Sequence, residues 1–287
     1  MNKFLLLICI LFSQFLRGQE ASVAFKTKTA SYNYNKNIKI KMNCEMADIK
    51  ITKGNVNKVE IKCTYSARHV DKNVATKELE RHQILVSKTL NDIYISNYFT
   101  ILKGEQEPKA KLKIKIEITV PSDIKIDIKN NFGSCSISGL NIKGNVDQSF
   151  GKIDFQKLNA ELMLKCELSD IKLINYTGSM DLRNKSGDVE VKNFDGKLLF
   201  IENANASIDI DGISNSVNTK LMLNNCKLVV RGVDYQKHAV NIDSYKEIIS
   251  HNQNWKVEKK GDNYKVISTT ALPGFIIKSV YTKINLN

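Results

Sequence analysis

The chain between residues 150 and 191 presents one short pattern three times: Phe150-Gly151-Lys152-Ile153-Asp154-Phe155, Leu168-Ser169-Asp170-Ile171-Lys172-Leu173 and Ser186-Gly187-Asp188-Val189-Glu190-Val191. The three copies begin at equal intervals. In each copy a small or polar pair is followed by an apolar–polar–apolar alternation, the period of a β-strand with one buried face. Self-similarity at a fixed period is typical of repeat architectures.

The same columns continue on both sides of this stretch. The first apolar column is predicted to contain Cys135, Ile153, Ile171, Val189, Ile208 and Cys226, and the second Ile137, Phe155, Leu173, Val191, Ile210 and Leu228. A second strand follows about nine residues later in each unit. Its columns are predicted to contain Leu162, Met180, Leu198 and Val217, and Val146, Leu164, Leu182 and Phe200. Buried aromatic stacks are expected at Tyr176, Phe194 and Phe200.

One unit cannot bury its apolar face alone, whereas stacked units can, because the equivalent apolar residues of neighbouring units then pack against one another. We therefore predict an all-β, single-chain β-solenoid of about 18 residues per coil, wound as a right-handed parallel β-helix. A triangular hexapeptide coil is excluded, because Asn159 and Lys165 stand where it needs apolar residues. The predicted organisation is a signal peptide (1–19), an N-terminal part with inserted strands (20–131), regular coils (132–232) and C-terminal coils with a cap (233–287).

The N-terminal half shows the same scheme with insertions. Residues 44–51 echo residues 166–173, and residues 59–63 are predicted to supply the second strand of that coil. A short helix is expected within residues 71–83, and strands at 93–99, 112–120 and 124–128, with a polar loop at 104–109. Closing strands are expected at 255–257, 264–267 and 281–286, and Trp255 is interpreted as a cap residue.

Residues 1–19 have the layout of a secretory signal peptide, with Lys3, an apolar run from residue 4 to residue 12 and a polar end at Gln19. An uncleaved N-terminal anchor is the alternative. Because no second long apolar run follows, no transmembrane span is expected after cleavage. Export argues against nucleic-acid binding, for which the sequence has no motif.

The formal net charge is +13, but only five of the 43 basic residues are Arg. Lysines that alternate with apolar residues are typical of solvated strand faces. A dedicated anion site is the alternative interpretation. Five cysteines follow the signal peptide, and an odd number argues against a full disulfide framework. Only Cys44 with Cys63 is considered as a bridge, and the sequence leaves that open.

No catalytic, cofactor-binding or metal-binding residues can be assigned, and the sequence alone leaves the binding residues unknown. The histidines, at 69, 82, 238 and 251, lack metal-ligand spacing. The tyrosines, Tyr245 and Tyr281 among them, are interpreted as scattered. An outward column is predicted to contain Ser136, Asp154, Lys172, Glu190, Asp209 and Lys227. Glu190 and Asp209 would have the separation of a retaining glycosidase pair, but cross-coil ion pairs (Asp154–Lys172, Lys172–Glu190 and Asp209–Lys227) are the favoured interpretation.

The Phe150-Gly151-Lys152-Ile153 unit, its partners at residues 168 and 186, and the Val120-Pro121 and Asn130-Asn131-Phe132-Gly133 lead-in resemble the bacterial putative adhesin family of β-strand-repeat proteins, a domain of unknown function. The Lys, Asn and Ile bias is Bacteroidetes-like. The resemblance implies an exported, non-catalytic binding or structural protein, periplasmic, outer-membrane-associated or on the cell surface. A surface polysaccharide or another envelope protein is the expected partner. A periplasmic scaffold linked to envelope stress and a carbohydrate-active β-helix enzyme are the alternatives.

Overall fold

The computed structural model of the chain describes residues 21–54, 57–101, 108–246, 249–251, 253–268 and 273–287. The predicted signal peptide, and residues 104–107 of the predicted polar loop, lie outside this described part. The described residues are mostly strand, with one α-helix, α1 (Lys72–Arg81), and one short 3-10 helix, Tyr235–Lys237. None of the helices described has the length and apolar character required to span a membrane.

The strands all belong to one open, hydrogen-bonded sheet. The first ten are β1 (Ser22–Asn33), β2 (Lys39–Glu45), β3 (Ala47–Lys53), β4 (Lys58–His69), β5 (His82–Thr89), β6 (Asp92–Phe99), β7 (Lys111–Val120), β8 (Asp123–Asn131), β9 (Ser134–Ser138) and β10 (Asn141–Asn184). The others are β11 (Val189–Ala204), β12 (Ser207–Ile213), β13 (Asn218–Asn224), β14 (Lys227–Arg231), β15 (Ala239–Tyr245), β16 (Ile249–His251), β17 (Glu258–Lys260), β18 (Asn263–Ile267), β19 (Gly274–Val280) and β20 (Lys283–Leu286).

The strand pairs form two ladders, which we call ladder A and ladder B. Ladder A contains β7, β3, β9, two parts of β10 (residues 152–156 and 171–174), the start of β11, β12, β14, β20 and β16. Ladder B contains β6, β2, β8, the first and last parts of β10, the end of β11, β13, β19 and β15. The chain passes from one ladder to the other at two rows of corners, and the buried side chains of both ladders form one hydrophobic core.

Parallel pairing in ladder A keeps the spacing read from the sequence over its middle part. Ile153 lies opposite Cys135, and Val189 lies opposite Ile171, so each residue faces its partner from the preceding repeat. All four side chains are buried. The apolar alternation therefore places predicted column neighbours side by side on adjacent strands.

The spacing lengthens towards the C-terminus. Ile208 pairs with Val189, which adds one residue to the repeat, and Leu228 pairs with Ile208, which adds two. The prediction that Cys226 follows Ile208 in the first column is therefore wrong. The additional residue enters the corner between β12 and β13, so that Cys226 lies just ahead of β14 and Leu228 takes its place in the column.

A bulge in ladder B overturns a second part of the predicted pattern. The register between β10 and β11 shifts between Gly178 and Ser179, so that Lys197 has no opposite residue. Because side chains alternate along a strand, one extra residue exchanges the two faces. In the first column of the second strand, the paired and buried residues are Leu199 and Thr219 in place of the predicted Leu198 and Val217. In the second column, Ile201 replaces Phe200.

The N-terminal region matches most of its predicted elements. Residues 47–53 form β3, and β6, β7 and β8 cover the three predicted strands. The helix begins after Asp71, whose carboxylate accepts a hydrogen bond from the Asn73 amide as an N-cap. Residues 59–63 do not continue the coil: they lie in β4, which pairs antiparallel with both β1 and β7 at the end of ladder A.

The C-terminal region departs from a simple succession of coils. β19 lies between β13 and β15, and β20 lies between β14 and β16. The last segment of the chain is therefore inserted into the stack, and residues 281–286 do not close its end as predicted. Residues 255–257 are not a strand. Trp255 instead packs edge-on against Tyr235, with ring centroids 5.1 Å apart.

The five described cysteines are all free and buried. Cys44 and Cys63 therefore form no disulfide in this structure. Burial raises the pKa of Cys44 to about 12 and that of Cys63 to about 11, because the thiolate would lose its hydration in the core. These side chains behave as small apolar core residues.

Candidate functional site

The corners where the chain passes from ladder B to ladder A share an uncommon backbone conformation. Their φ angles lie between 51° and 66° at eight residues: Met46, Phe132, Phe150, Leu168, Asn205, Asn225, Tyr281 and Lys246. Backbone hydrogen bonds join successive corners, as from the Met46 amide to the Asn131 carbonyl and from the Tyr281 amide to the Tyr245 carbonyl. The eight residues therefore form one row along the stack, which we call the corner row.

Four members of the corner row form an exposed apolar line, which we call the apolar ridge: Met46, Phe132, Phe150 and Leu168. Their exposed fractions are 50%, 54%, 45% and 51%. The Phe132 and Phe150 rings stack nearly parallel, with centroids 4.8 Å apart. Adjacent strands lie about 4.8 Å apart, so the ridge extends over about 14 Å.

The ridge residues are energetically unfavourable in this backbone conformation. A side chain in the left-handed region costs about 1–2 kcal/mol unless the residue is Gly or, to a lesser degree, Asn. The chain itself uses Asn205 and Asn225 at equivalent corners. Bulky apolar side chains at Phe132 and Phe150 therefore bear this strain without being buried in the core, and such a combination is typical of functional positions.

Small residues beside the ridge let neighbouring corners approach closely. A Cβ added at Gly133 would lie 2.1 Å from the Ala47 carbonyl oxygen, and one at Gly151 would lie 1.8 Å from the Gly133 carbonyl oxygen. Only glycine fits there without a backbone shift. This close contact sets the spacing at which the two phenylalanine rings stack.

A row of buried amide side chains supports the corners from the inside. The Asn130 Nδ2 donates to the Ala47 carbonyl at 3.0 Å and to Gln148 Oε1 at 3.1 Å, and Gln148 Nε2 donates to the Gly133 carbonyl at 2.8 Å. Asn184 Nδ2 donates to the Ser169 carbonyl at 3.0 Å. Buried backbone carbonyls need such partners, so these amides hold the corners in a fixed shape.

A depression of about 870 Å³ continues the line of the ridge, and we call it the corner groove. It begins at Leu168 and ends at Tyr245. The floor between them is mixed, with the polar residues Lys185, Ser186, Asn205, Asn224 and Lys278 and the apolar residues Ala204, Met222, Leu223 and Val280. The Asn225 Nδ2 donates to Asn205 Oδ1 at 2.8 Å, which forms an amide ladder between two corners.

The far end of the corner groove is aromatic. Tyr245 and Tyr281 meet edge to face with ring centroids 6.1 Å apart. The Lys246 ammonium lies 5.5 Å from the Tyr245 centroid and 5.3 Å from the Tyr281 centroid. A hydrogen bond with Tyr281 raises the pKa of Lys246, so this side chain is cationic at neutral pH. The interpretation of these two tyrosines as scattered is wrong, because the insertion of β19 and β20 brings them together.

The predicted outward column lies on the exposed face of ladder A, and only part of it is correct. Glu190 lies opposite both Lys172 and Asp209, but Asp209 lies opposite Val229, so Lys227 is not in the column. Lys172 binds Glu190 at 3.0 Å as predicted. Asp209 binds Arg231 at 2.5 Å, not Lys227. The Asp154 carboxylate accepts from Gln156 at 2.9 Å, and no ion pair with Lys172 occurs in the described part of the chain.

Glu190 and Asp209 do not have the electrostatics of a glycosidase pair. Lys192 and Lys172 both bind the Glu190 carboxylate and lower its pKa, with the hydrogen bond from Lys192 as the larger cause. The Arg231 guanidinium holds Asp209. A general acid needs a raised pKa, whereas the two lysines lower the pKa of Glu190.

The histidines lie apart from one another. His82 is buried between Tyr65 and Phe99, and burial lowers its pKa. His238 packs against Phe275, and His251 lies beside Trp255. Across the described ranges, no group of three or more His, Cys, Asp or Glu side chains could hold a metal ion.

Comparison with known proteins gives structural likeness only. No protein-family model matches the chain, and no curated protein matches it. A solved structure from Bacteroides fragilis described as a putative adhesin is 15% identical, covers 91% of this chain and 97% of its own, and has a TM-score of 0.40. A putative cell adhesion protein from Clostridium sporogenes is 11% identical, with 92% and 97% covered and a TM-score of 0.29. A putative lipid binding protein from Parabacteroides distasonis is 12% identical, with 91% and 96% covered and a TM-score of 0.32.

Proposed function

We propose that this chain is an exported, non-catalytic β-solenoid of the bacterial cell envelope, adhesin-like in role, which binds its ligand along the apolar ridge and the corner groove. Export follows from the predicted signal peptide, residues 1–19. The solenoid interpretation is supported by the nearly constant parallel register along ladder A and by the single core beneath both ladders.

The observation that carries the binding role is the strained, exposed ridge. Phe132 and Phe150 cost stability where they stand, and the same chain folds equivalent corners with asparagine. Exposed aromatic side chains in a row are typical of interaction surfaces, since they desolvate readily and lose little side-chain entropy on binding. The alternative enzyme role has no such support, because the Glu190 and Asp209 carboxylates are both neutralised by basic partners.

The test is the double variant Phe132→Asn with Phe150→Asn in the full chain. Relief of the left-handed strain offsets loss of the ring stack, which is worth about 0.5–1.5 kcal/mol. The free energy of unfolding should therefore fall by no more than about 1 kcal/mol. Co-sedimentation with envelope fragments of the producing bacterium should fall at least tenfold in affinity.

The matched control is Leu90→Asn, because Leu90 is also left-handed, with φ 48°, and is 88% exposed, but lies outside the corner row. It should leave envelope binding unchanged. Equal binding by the wild type and the double variant would refute a binding role for the ridge. Protease treatment of intact cells then separates the surface from the periplasm: digestion indicates surface exposure, whereas protection favours the periplasmic scaffold.

A further inference from the structure

We propose that the corner groove binds a linear, uncharged polysaccharide, which lies along the stacking axis from Leu168 to Tyr245. This inference rests on the proposed binding role of the corner and specifies the class of ligand. The groove combines amide and hydroxyl groups with apolar side chains, which lie at its two ends and, at Met222 and Val280, along its floor. A sugar polymer has the matching character, since each ring has hydroxyl groups at its edge and apolar C–H groups on its faces.

The length of the groove fits an extended chain. Adjacent strands cross it from Glu167 through Lys185, Ala204, Asn224 and Val280 to Tyr245. Five steps of about 4.8 Å give about 24 Å. A single sugar would leave most of this surface in water, so affinity is expected to increase with the length of the ligand.

The polar groups are suited to hydroxyl ligands. Asn205 lines the groove, and Asn225 adjoins it in the corner row; the bond between their side chains uses one donor and one acceptor. A carboxamide has two donors and two acceptor lone pairs, so each retains capacity for a ligand. Tyr245 supplies aromatic ring surface at one end, with Tyr281 packed against it, and the apolar ridge adjoins the other end at Leu168.

The charge of the groove argues for a neutral polymer. Its lining contains the carboxylates Glu167, Glu202 and Asp243 and the ammonium groups Lys185 and Lys278. Lys185 binds Glu167 at 3.1 Å, so part of this charge is already paired. The strong net positive charge of the whole chain is thus not concentrated in the groove, and a polyanion would meet three carboxylates there.

Two other occupants fit less well. A peptide that adds a strand needs free backbone groups at a sheet edge, but here the corner amides of Asn205, Asn225 and Tyr281 already donate to the next strand. An acyl chain needs a continuous apolar channel, whereas Lys185, Asn224 and Lys278 interrupt the apolar part of the floor and would lose water without gaining partners.

The experiment uses the full chain and a set of immobilised neutral glucans, mannans and galactans, followed by oligomers of two, four and six sugars from the polymer that binds. Polygalacturonate and vesicles of phosphatidylethanolamine with phosphatidylglycerol serve as the anionic and lipid probes. We expect binding to at least one neutral polysaccharide, with at least a tenfold gain in affinity from the disaccharide to the hexasaccharide.

The decisive variant is Asn205→Gly with Asn225→Gly, since glycine keeps the left-handed backbone and removes only the amides. It should lose at least tenfold in affinity. The matched control is Asn175→Gly with Asn193→Gly, an equivalent amide ladder at the opposite row of corners, where Asn193 Nδ2 donates to Asn175 Oδ1 at 2.9 Å. It should bind as the wild type does.

Three results would overturn the inference: no neutral polysaccharide bound, preference for polygalacturonate or the vesicles, or full affinity in the Asn205→Gly, Asn225→Gly variant. These results leave the proposed function separately testable. Envelope binding that still depends on Phe132 and Phe150 would keep the ridge as the binding surface and remove only the polysaccharide from the groove.

Discussion

The substitution Gly151→Ala tests whether close contact between corners sets the spacing of the stack. The added Cβ would lie 1.8 Å from the Gly133 carbonyl oxygen, and contacts shorter than 3.0 Å are essentially never observed for a real Cβ atom. The two corners must therefore separate until this contact is relieved. The same carbonyl accepts a hydrogen bond from Gln148 at 2.8 Å, and the Phe132 amide donates to the Ser149 carbonyl at 2.9 Å.

Weakening two hydrogen bonds costs about 1 kcal/mol each, and overpacking costs about 1–3 kcal/mol. Lower entropy of the unfolded chain offsets about 0.4–1 kcal/mol. We therefore expect Gly151→Ala to destabilise the protein by about 2–4 kcal/mol. The control is Gly274→Ala, whose Cβ would meet Ile276 Cδ1 at an ordinary 3.5 Å and whose φ is not left-handed. It should be neutral or stabilising by up to about 1 kcal/mol.

Urea denaturation followed in parallel by far-UV circular dichroism and by the fluorescence of Trp255 gives both values, provided that the two transitions coincide. A Gly151→Ala midpoint within error of the wild type, at an unchanged m-value, would show that the corners are not in close contact. The reasoning about how the Phe132 and Phe150 rings are spaced would then fail as well.

Two further predictions concern buried titratable groups. Burial, and secondarily the Lys26 charge, lower the pKa of His82. The unfolded chain therefore binds a proton at this residue more readily than the folded chain does. The stability that depends on neutral His82 should be fully present above about pH 6.5 and should fall as the pH drops below it. His82→Phe should flatten this loss between pH 7 and pH 5 in urea midpoints, whereas substitution of the partly exposed His69 should not, and an unchanged pH dependence in His82→Phe would contradict the assignment. The second prediction concerns the buried thiols, since the pKa of Cys44 is near 12 and that of Cys63 is near 11. They should be inert to a thiol reagent at pH 8 in the native protein and should all react in denaturant. Two missing equivalents after denaturation would indicate the Cys44–Cys63 disulfide that this structure lacks.

The middle of the fold can be predicted from the sequence because stacking places equivalent residues of successive repeats side by side. Ile153, Ile171 and Val189 occupy equivalent positions, and an apolar residue that stacks on an apolar residue is reinforced by both neighbours. Two-fold alternation then fixes which side chains are buried. A pattern with such repetition contains enough information to predict strand pairing without an alignment.

The errors occur where one or two residues are added. The bulge at Lys197 changes the buried residue from Leu198 to Leu199, and the longer corner between β12 and β13 replaces Cys226 by Leu228. Both alternatives are apolar in each case, so hydropathy does not distinguish them. The position of an insertion depends on the backbone of the neighbouring coil, such as the contact between Gly196 and Gly178, which the local sequence does not specify.

Long-range order of the strands is the second limit. β20 pairs with β14 although five other strands, β15 to β19, lie between them in the chain, and β2 lies between β6 and β8. Nothing in the local pattern of these strands shows that a later segment enters between two earlier ones. This insertion is also what brings Tyr281 beside Tyr245, so the aromatic end of the groove could not be predicted from the sequence.

The sequence contains a signal for the ridge, but the stronger strand pattern draws attention away from it. Phe132-Gly133 and Phe150-Gly151 stand one repeat apart, but the sequence alone shows the aromatic residue only as part of the family pattern. In a stacked fold, inward positions are selected for packing and outward strand positions for solubility. A corner residue in the left-handed region is free of both demands, and Asn or Gly satisfies its backbone best. A bulky apolar residue repeated at such a corner is therefore explained by neither the core nor the turn, which is the reason for proposing that it contacts a ligand.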